Sequence, residues 1–202
     1  LMKNLVEIRN LSFKYKDKTI LQNINLDIQE DSKIVIHGNN GRGKSTFLSL
    51  LAGLKDDCKE NIKTRPDLKI AYLFQDSNDQ FIAPNVIEDV AFSLLVDGVN
   101  AKEAERLSNN ILERLKISHL KNNSIYYLSG GEKRLVAIAG MLVRYADLYL
   151  LDEPFKELDK EKTNLVLEIL NEKKAFVLIT HEKKELLQNV EFFDLDMLEK
   201  EF

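Results

Sequence analysis

Only one cysteine, Cys58, occurs in the 202 residues, so no disulfide can close within the chain. No apolar run approaches the roughly eighteen residues that a membrane-crossing helix needs. Neither sign of charge dominates. The 29 Lys and Arg face 33 Asp and Glu, a formal net charge of −4, so there is no broad basic field to set against duplex phosphate. Nucleic acid is therefore not expected as a partner. Internal repeats and low-complexity linkers are missing too, and the chain opens Leu1-Met2 with neither a charged-then-apolar secretion signal nor a lipidation motif. These absences together lead to the expectation of a cytosolic protein whose role at a membrane comes through a partner. Asn122-Asn123-Ser124 matches a glycosylation acceptor, but three-residue matches of this kind are common and it carries no weight.

What is present is an ordinary globular composition, 31% charged and 44% apolar, in a length that suits one domain, or one core with a sub-lobe. Four short apolar runs read as buried strands: 33–37, 69–74, 147–151 and 175–180. Helical spacing recurs between them, at Phe47, Leu50, Leu51 and Leu54, at Leu135, Ile138, Ala139 and Leu142, and at Leu165, Val166, Ile169 and Leu170. Strands alternating with amphipathic helices predict an α/β domain with a mostly parallel core sheet, whose ligands sit beyond the carboxyl ends of the strands. The first thirty or so residues alternate apolar positions (Leu5, Val6 and Ile8, then Ile20, Leu21, Ile24, Leu26 and Ile28), as an antiparallel sheet edging that core would. Residues 76–128 lack a convincing strand, and Ala104, Leu107, Ile111 and Leu115 mark a long helix. The expected organisation is a single domain over 1–202, with 1–75 and 129–202 forming the core and 76–128 an inserted α-helical subdomain.

Gly38 to Ser45 reads GNNGRGKS, fits G-x-x-x-x-G-K-[ST], comes after an apolar strand and opens an amphipathic helix. Glycines let the backbone wrap a phosphate so that its N–H groups and the helix N-terminus face negative charge. The candidate nucleotide contacts are Asn39, Asn40, Gly41, Arg42, Gly43, Lys44, Ser45 and Thr46. Lys44 would reach the β- and γ-phosphates, and Ser45 would offer its hydroxyl to Mg²⁺, a hard ion that prefers oxygen ligands. A further apolar strand ends in Asp152-Glu153. Adjacent strand residues face opposite ways, which lets Asp152 serve the Mg²⁺ shell and Glu153 orient or deprotonate an attacking water. His181, after Thr180, closes another strand and is a candidate donor to the γ-phosphate and that water. A surface histidine is the competing reading.

Ser129 and Glu132 in LSGGE satisfy a capping box at the start of a helix. The cap explains neither Gly130 nor Gly131, whose pairing at a helix N-terminus makes a second anion site.

GNNGRGKST, LSGGE, LYLLDEP and ITH, in that order over essentially the whole chain, resemble the ATP-binding-cassette (ABC) family of P-loop NTPases. The resemblance implies ATP and Mg²⁺ as ligands and a head-to-tail dimer with a second ATPase subunit, homomeric or heteromeric. In that dimer each ATP lies between one phosphate loop and Ser129, Gly130 and Gly131 of the other subunit. It further implies that Tyr15, otherwise an edge-strand tyrosine, stacks on adenine. Gln75, otherwise a solvated loop glutamine, would lie near Mg²⁺ in a catalytic and metal role and begin the loop that senses a transmembrane subunit. Asp159 matches an aspartate of the loop that crosses the dimer interface. FQDSNDQFIAPNVIEDVAF (74–92) and LSGGEKRLVAIAGML (128–142) are similar to energy-coupling-factor and cobalt-type importers. The protein would then sit at the inner face of the cell membrane through its partners. Glu157 departs from the pattern, standing in FKELD where the family has a small residue, and the roughly twenty residues after His181 imply a minimal version of the fold. A non-transport cassette acting on DNA or ribosomes and an exporter subunit are the alternatives. The first is disfavoured by the acidic balance and by the lack of a coiled-coil insertion or second cassette.

Overall fold

The structure, a computed structural model, describes residues 4–38, 41, 43–181 and 187–195. The chain divides into two compact units, Leu1–Tyr72 with Ala146–Glu153 and Lys173–Phe202, and Leu73–Tyr145 with Pro154–Glu172.

The first unit holds strands β1 (Asn4–Tyr15), β2 (Lys18–Gln29) and β3 (Lys33–His37), helix α1 (Lys44–Leu51), and strands β4 (Ile62–Thr64), β5 (Ile70–Leu73, whose last residue falls in the second unit), β6 (Leu148–Asp152), β7 (Phe176–Ile179) and β8 (Glu191–Asp194). β1 pairs antiparallel with β2 through a hairpin closed at Tyr15 and Lys18, and β4 lies antiparallel on its other side. This is the expected antiparallel edge. In β1 Leu5 is buried, and the alternating buried positions are Val6 and Ile8, then Leu11 and Phe13. The shift of face falls where the register slips around Asn10, which takes φ 50°. An irregularity of this kind re-aims a strand without ending it.

The second sheet runs β5-β6-β7-β3-β8, with β3–β7, β3–β8 and β6–β7 all parallel. Ile34, Val35 and Ile36 in β3, every residue of β6 and every residue of β7 are buried. That explains why these strands read as continuous apolar runs, not as alternations. Side chains from β1, β2, β3, α1, β6 and β7 share one hydrophobic core, in which Phe47 and Leu48 of α1 are fully enclosed. Helix α1 stops at Leu51, earlier than the spacing through Leu54 predicts. Gly53 takes φ 69°, its amide donates to Leu50 O at 3.1 Å, and the Leu54 amide donates to Ser49 O at 3.0 Å. This is a Schellman stop, and it leaves Leu54 just outside the helix and exposed. Strands β4 and β8 are too short and too polar to stand out in the sequence.

The second unit is helical, with α2 (Val86–Val96), α3 (Ala101–Arg114), α4 (Gly130–Leu142) and α5 (Lys160–Asn171). Three of the four carry a side-chain N-cap: Asn100 accepts from the Glu103 amide, Ser129 from Glu132 and Asp159 from Lys162. Each such cap contributes about 1 kcal/mol. Ala91, Leu94 and Ala104 form a small core with Val99, Leu107 and Val143 between α2, α3 and α4. Among the described residues, 76–128 contains no strand beyond a single Asn85–Ser124 bridge.

Candidate active site

Strand register brings three loops to one edge of the first unit. Ile36 of β3 and Asp152 of β6 both stand opposite Ile179 of the intervening β7. The three strands are parallel and neighbouring strands lie about 4.8 Å apart, so the segments that leave their carboxyl ends emerge side by side. The glycine-rich loop leaves β3, Glu153 leaves β6, and Thr180-His181 leaves β7.

In the glycine-rich loop Gly38, Gly41 and Gly43 take φ of 146°, 76° and 81°, values that disfavour side chains. Gly43 is further constrained because a Cβ there would lie 2.5 Å from Ile20 Cγ2 and 3.0 Å from Leu21 Cδ2. The chain therefore enters α1 directly against β2, with Gly43 at the N-cap and Lys44 in the first turn. Lys44 is only 7% exposed, and its Nζ donates to Gly38 O at 2.7 Å across the loop. This holds the ammonium over the loop's own backbone, close to the place where phosphate oxygens would compete for it. Ser45 is exposed and Thr46 half-buried in the same turn. Asn39, Asn40 and Arg42 lie outside the described residues. Tyr15, at the hairpin end of β1, is 63% exposed and presents an open ring face.

Asp152 is buried at the end of β6, while Glu153 leaves the strand with φ 49°. Strand alternation is thus not what separates the two carboxylates. A left-handed backbone at Glu153 turns its side chain away, and strain of this type costs on the order of 1–3 kcal/mol and collects at functional sites. The Glu153 amide is anchored to Ile179 O at 3.0 Å, and Glu153 Oε1 lies 3.0 Å from His181 Nε2. The Glu153 side chain is 15% exposed against 48% for His181, so the histidine forms the wet side of the pair. Burial pushes the Glu153 carboxyl above its ordinary range. His181, its backbone amide and Lys44 work against that shift, and Asp152 adds to it. A carboxyl held up in this way is a better proton acceptor from water than an exposed one.

Ser45 and Asp152 supply a hydroxyl and a carboxylate, a hard oxygen donor set that fits Mg²⁺. Among the described residues no group of three or more His, Cys, Asp or Glu side chains is placed to hold a metal ion. Few protein ligands are what Mg²⁺ uses when substrate phosphates complete its shell.

The second unit carries the remaining candidates. Ser129 is built into its capping box, with its amide and hydroxyl both on Glu132 Oε2, at 2.8 and 2.7 Å. Gly130 and Gly131 open α4, and the loop before α5 passes closely over them: a Cβ on Gly130 would collide with the Glu157 carboxylate, and one on Gly131 would lie 2.8 Å from Glu157 O. Asp159 caps α5. Gln75 is exposed just after β5.

Arg134, absent from the sequence-based candidates, organises this region. It is 2% exposed, and its guanidinium donates to Phe74 O at 2.7 Å, Gln75 O at 3.3 Å and Pro154 O at 3.2 Å. One signal was available in the sequence: Arg134 shares the i, i+4, i+7 face with Ile138 and Met141, where a lone charge implies a buried partner set.

Comparison with known proteins adds a family model, ABC transporter, that matches residues 21–156. The energy-coupling factor transporter ATP-binding protein EcfA1 of Thermotoga maritima is 34% identical over 198 residues, 93% of this chain and 76% of the relative. EcfA of Pediococcus pentosaceus is 34% identical over 209 residues, covering 92% and 73%. A dimeric structure of the ATP-binding cassette MJ0796 in a post-hydrolysis state bound to ADP and Pi superposes with a TM-score of 0.75, at 25% identity over 88% of each chain.

Proposed function

The chain belongs to the ABC transporter family as an ATPase subunit, and from that premise we propose that it powers import of a metal ion or vitamin through an energy-coupling-factor type membrane complex. The arrangement of β3, β6 and β7, which delivers a phosphate-binding loop beside Glu153 and His181, supports ATP hydrolysis, and the likeness to energy-coupling factor ATP-binding proteins supports the import reading.

In the proposed reaction the loop amides, Lys44 and the N-terminus of α1 hold the ATP phosphates, with Asn39, Asn40 and Arg42 completing the loop and Tyr15 stacking on adenine. Glu153 takes a proton from water as the water oxygen bonds to the γ-phosphorus and the bond to ADP breaks. His181 orients that water and donates to the γ-phosphate. Ser45, Asp152 and Gln75 would hold Mg²⁺, which when bound supplies charge neutralisation at the β- and γ-phosphates. Ser129, Gly130 and Gly131 close on the γ-phosphate of ATP held by a second ATPase subunit. Each site is then complete only in the head-to-tail dimer. Residues 1–75 and 129–202 serve as the catalytic core and 76–128 as the helical subdomain that meets the membrane subunit. No helix among the described residues is long and apolar enough to cross a membrane.

The kinetic test is phosphate release by Glu153→Gln and His181→Ala, each expected to fall about 100-fold or more at saturating MgATP. Near-normal release from Glu153→Gln would sink the assignment. The transport reading is checked by purifying the native complex. A small scaffold subunit with a substrate-capture protein supports energy-coupling import, and a fused exporter membrane domain overturns it.

A further inference from the structure

Glu157 lies against the two glycines that open α4. A side chain on Gly130 would strike its carboxylate, and its main-chain carbonyl stands 2.8 Å from where a Cβ of Gly131 would be. Glu157 holds φ 67°, a left-handed conformation that sets the loop in this close approach. The first amides of a helix point outward unsatisfied, and the partial positive charge there attracts anions. At α4 the Ser129–Glu132 capping box already serves the third residue, leaving the Gly130 end as the approach for a phosphate.

We propose that Glu157 is a built-in competitor for the phosphate-binding end of α4: its carboxylate covers Gly130 and must swing away before nucleotide held by a second subunit can dock there. The inference rests on the reading that Ser129, Gly130 and Gly131 bind nucleotide in the dimer. Glu157 then sets the ATP concentration at which the dimer closes without touching ATP binding to the phosphate loop of the monomer. A small residue at this position leaves Gly130 open, and a carboxylate raises the threshold for closure. Glu157 is exposed, so its displacement costs little packing and its influence is mainly electrostatic.

The test uses the full chain with Glu153→Gln added to stop turnover, tracking dimer mass against MgATP concentration. Glu157→Gln should lower the half-saturating ATP about two- to fivefold, the effect of one charge at a helix N-terminus. Glu157→Lys should lower it further, and the gap between variants should shrink in about 0.5 M salt, which a purely structural role would not cause. Binding of a fluorescent ATP analogue to the monomer should be the same in all of them. An unchanged or raised midpoint in Glu157→Gln, with closure still abolished by Ser129→Arg, overturns the proposal alone. Closure that is missing in Glu153→Gln, or indifferent to Ser129→Arg, overturns the underlying reading and the proposal with it.

Discussion

At the scale of single residues, the proposed chemistry falls mostly on Lys44 and Glu153. Lys44 already bonds Gly38 O at 2.7 Å, so nucleotide exchanges one polar partner for another and does not have to order a free side chain. Its charge-assisted bonds to phosphate are worth about 1.5–3 kcal/mol. Lys44→Ala should therefore weaken ATP binding about 10- to 100-fold by titration calorimetry, and an unchanged affinity would contradict the placement of phosphate at this loop. Glu153 yields a pH prediction. Its folded-state carboxyl stands above the ordinary value because of burial, so the protonated form favours folding. That contribution is fully present below the ordinary glutamate value and is lost as pH rises through the raised folded value. Glu153→Gln has no proton to lose. It should melt higher than wild type at neutral pH, with the difference closing as pH falls below about 4. A difference that stays constant with pH would argue against burial as the cause.

At the scale of elements, the longer strands and helices were legible because their apolar runs and spacings are strong, whereas the short β4 and β8 were not. The left-handed turn at Glu153, the Schellman stop at Gly53 and the approach of Glu157 to Gly130 were not, because each depends on backbone conformation or long-range contact. Gly43 shows both sides. The motif asks for glycine on account of phosphate, whereas the structure adds that Ile20 of β2 leaves no room for a Cβ. Gly43→Ala should cost roughly 1–3 kcal/mol in denaturant unfolding even without nucleotide, from overpacking together with positive φ. Wild-type stability in that variant would show that β2 gives way freely. Arg134 is a comparable case. Losing its guanidinium strands the carbonyl of Pro154 in a buried place and those of Phe74 and Gln75 in a partly buried one. Arg134→Met should destabilise by about 3 kcal/mol, with partial rescue by Arg134→Lys.

For the whole molecule, the candidate groups divide between two compact units, the phosphate loop, Asp152, Glu153 and His181 in one, Gln75 and Ser129 to Gly131 in the other. Sequence order gives the motifs but not this division, since 154–172 returns to the second unit only through tertiary packing. The decisive measurement is ATPase rate together with dimer mass, for wild type and Glu153→Gln, with and without MgATP. Turnover in wild type and a stable ATP-bound dimer only in Glu153→Gln is the expected result. A Glu153→Gln protein that hydrolyses ATP at the wild-type rate, or wild-type turnover carried entirely by monomers, would contradict the shared site.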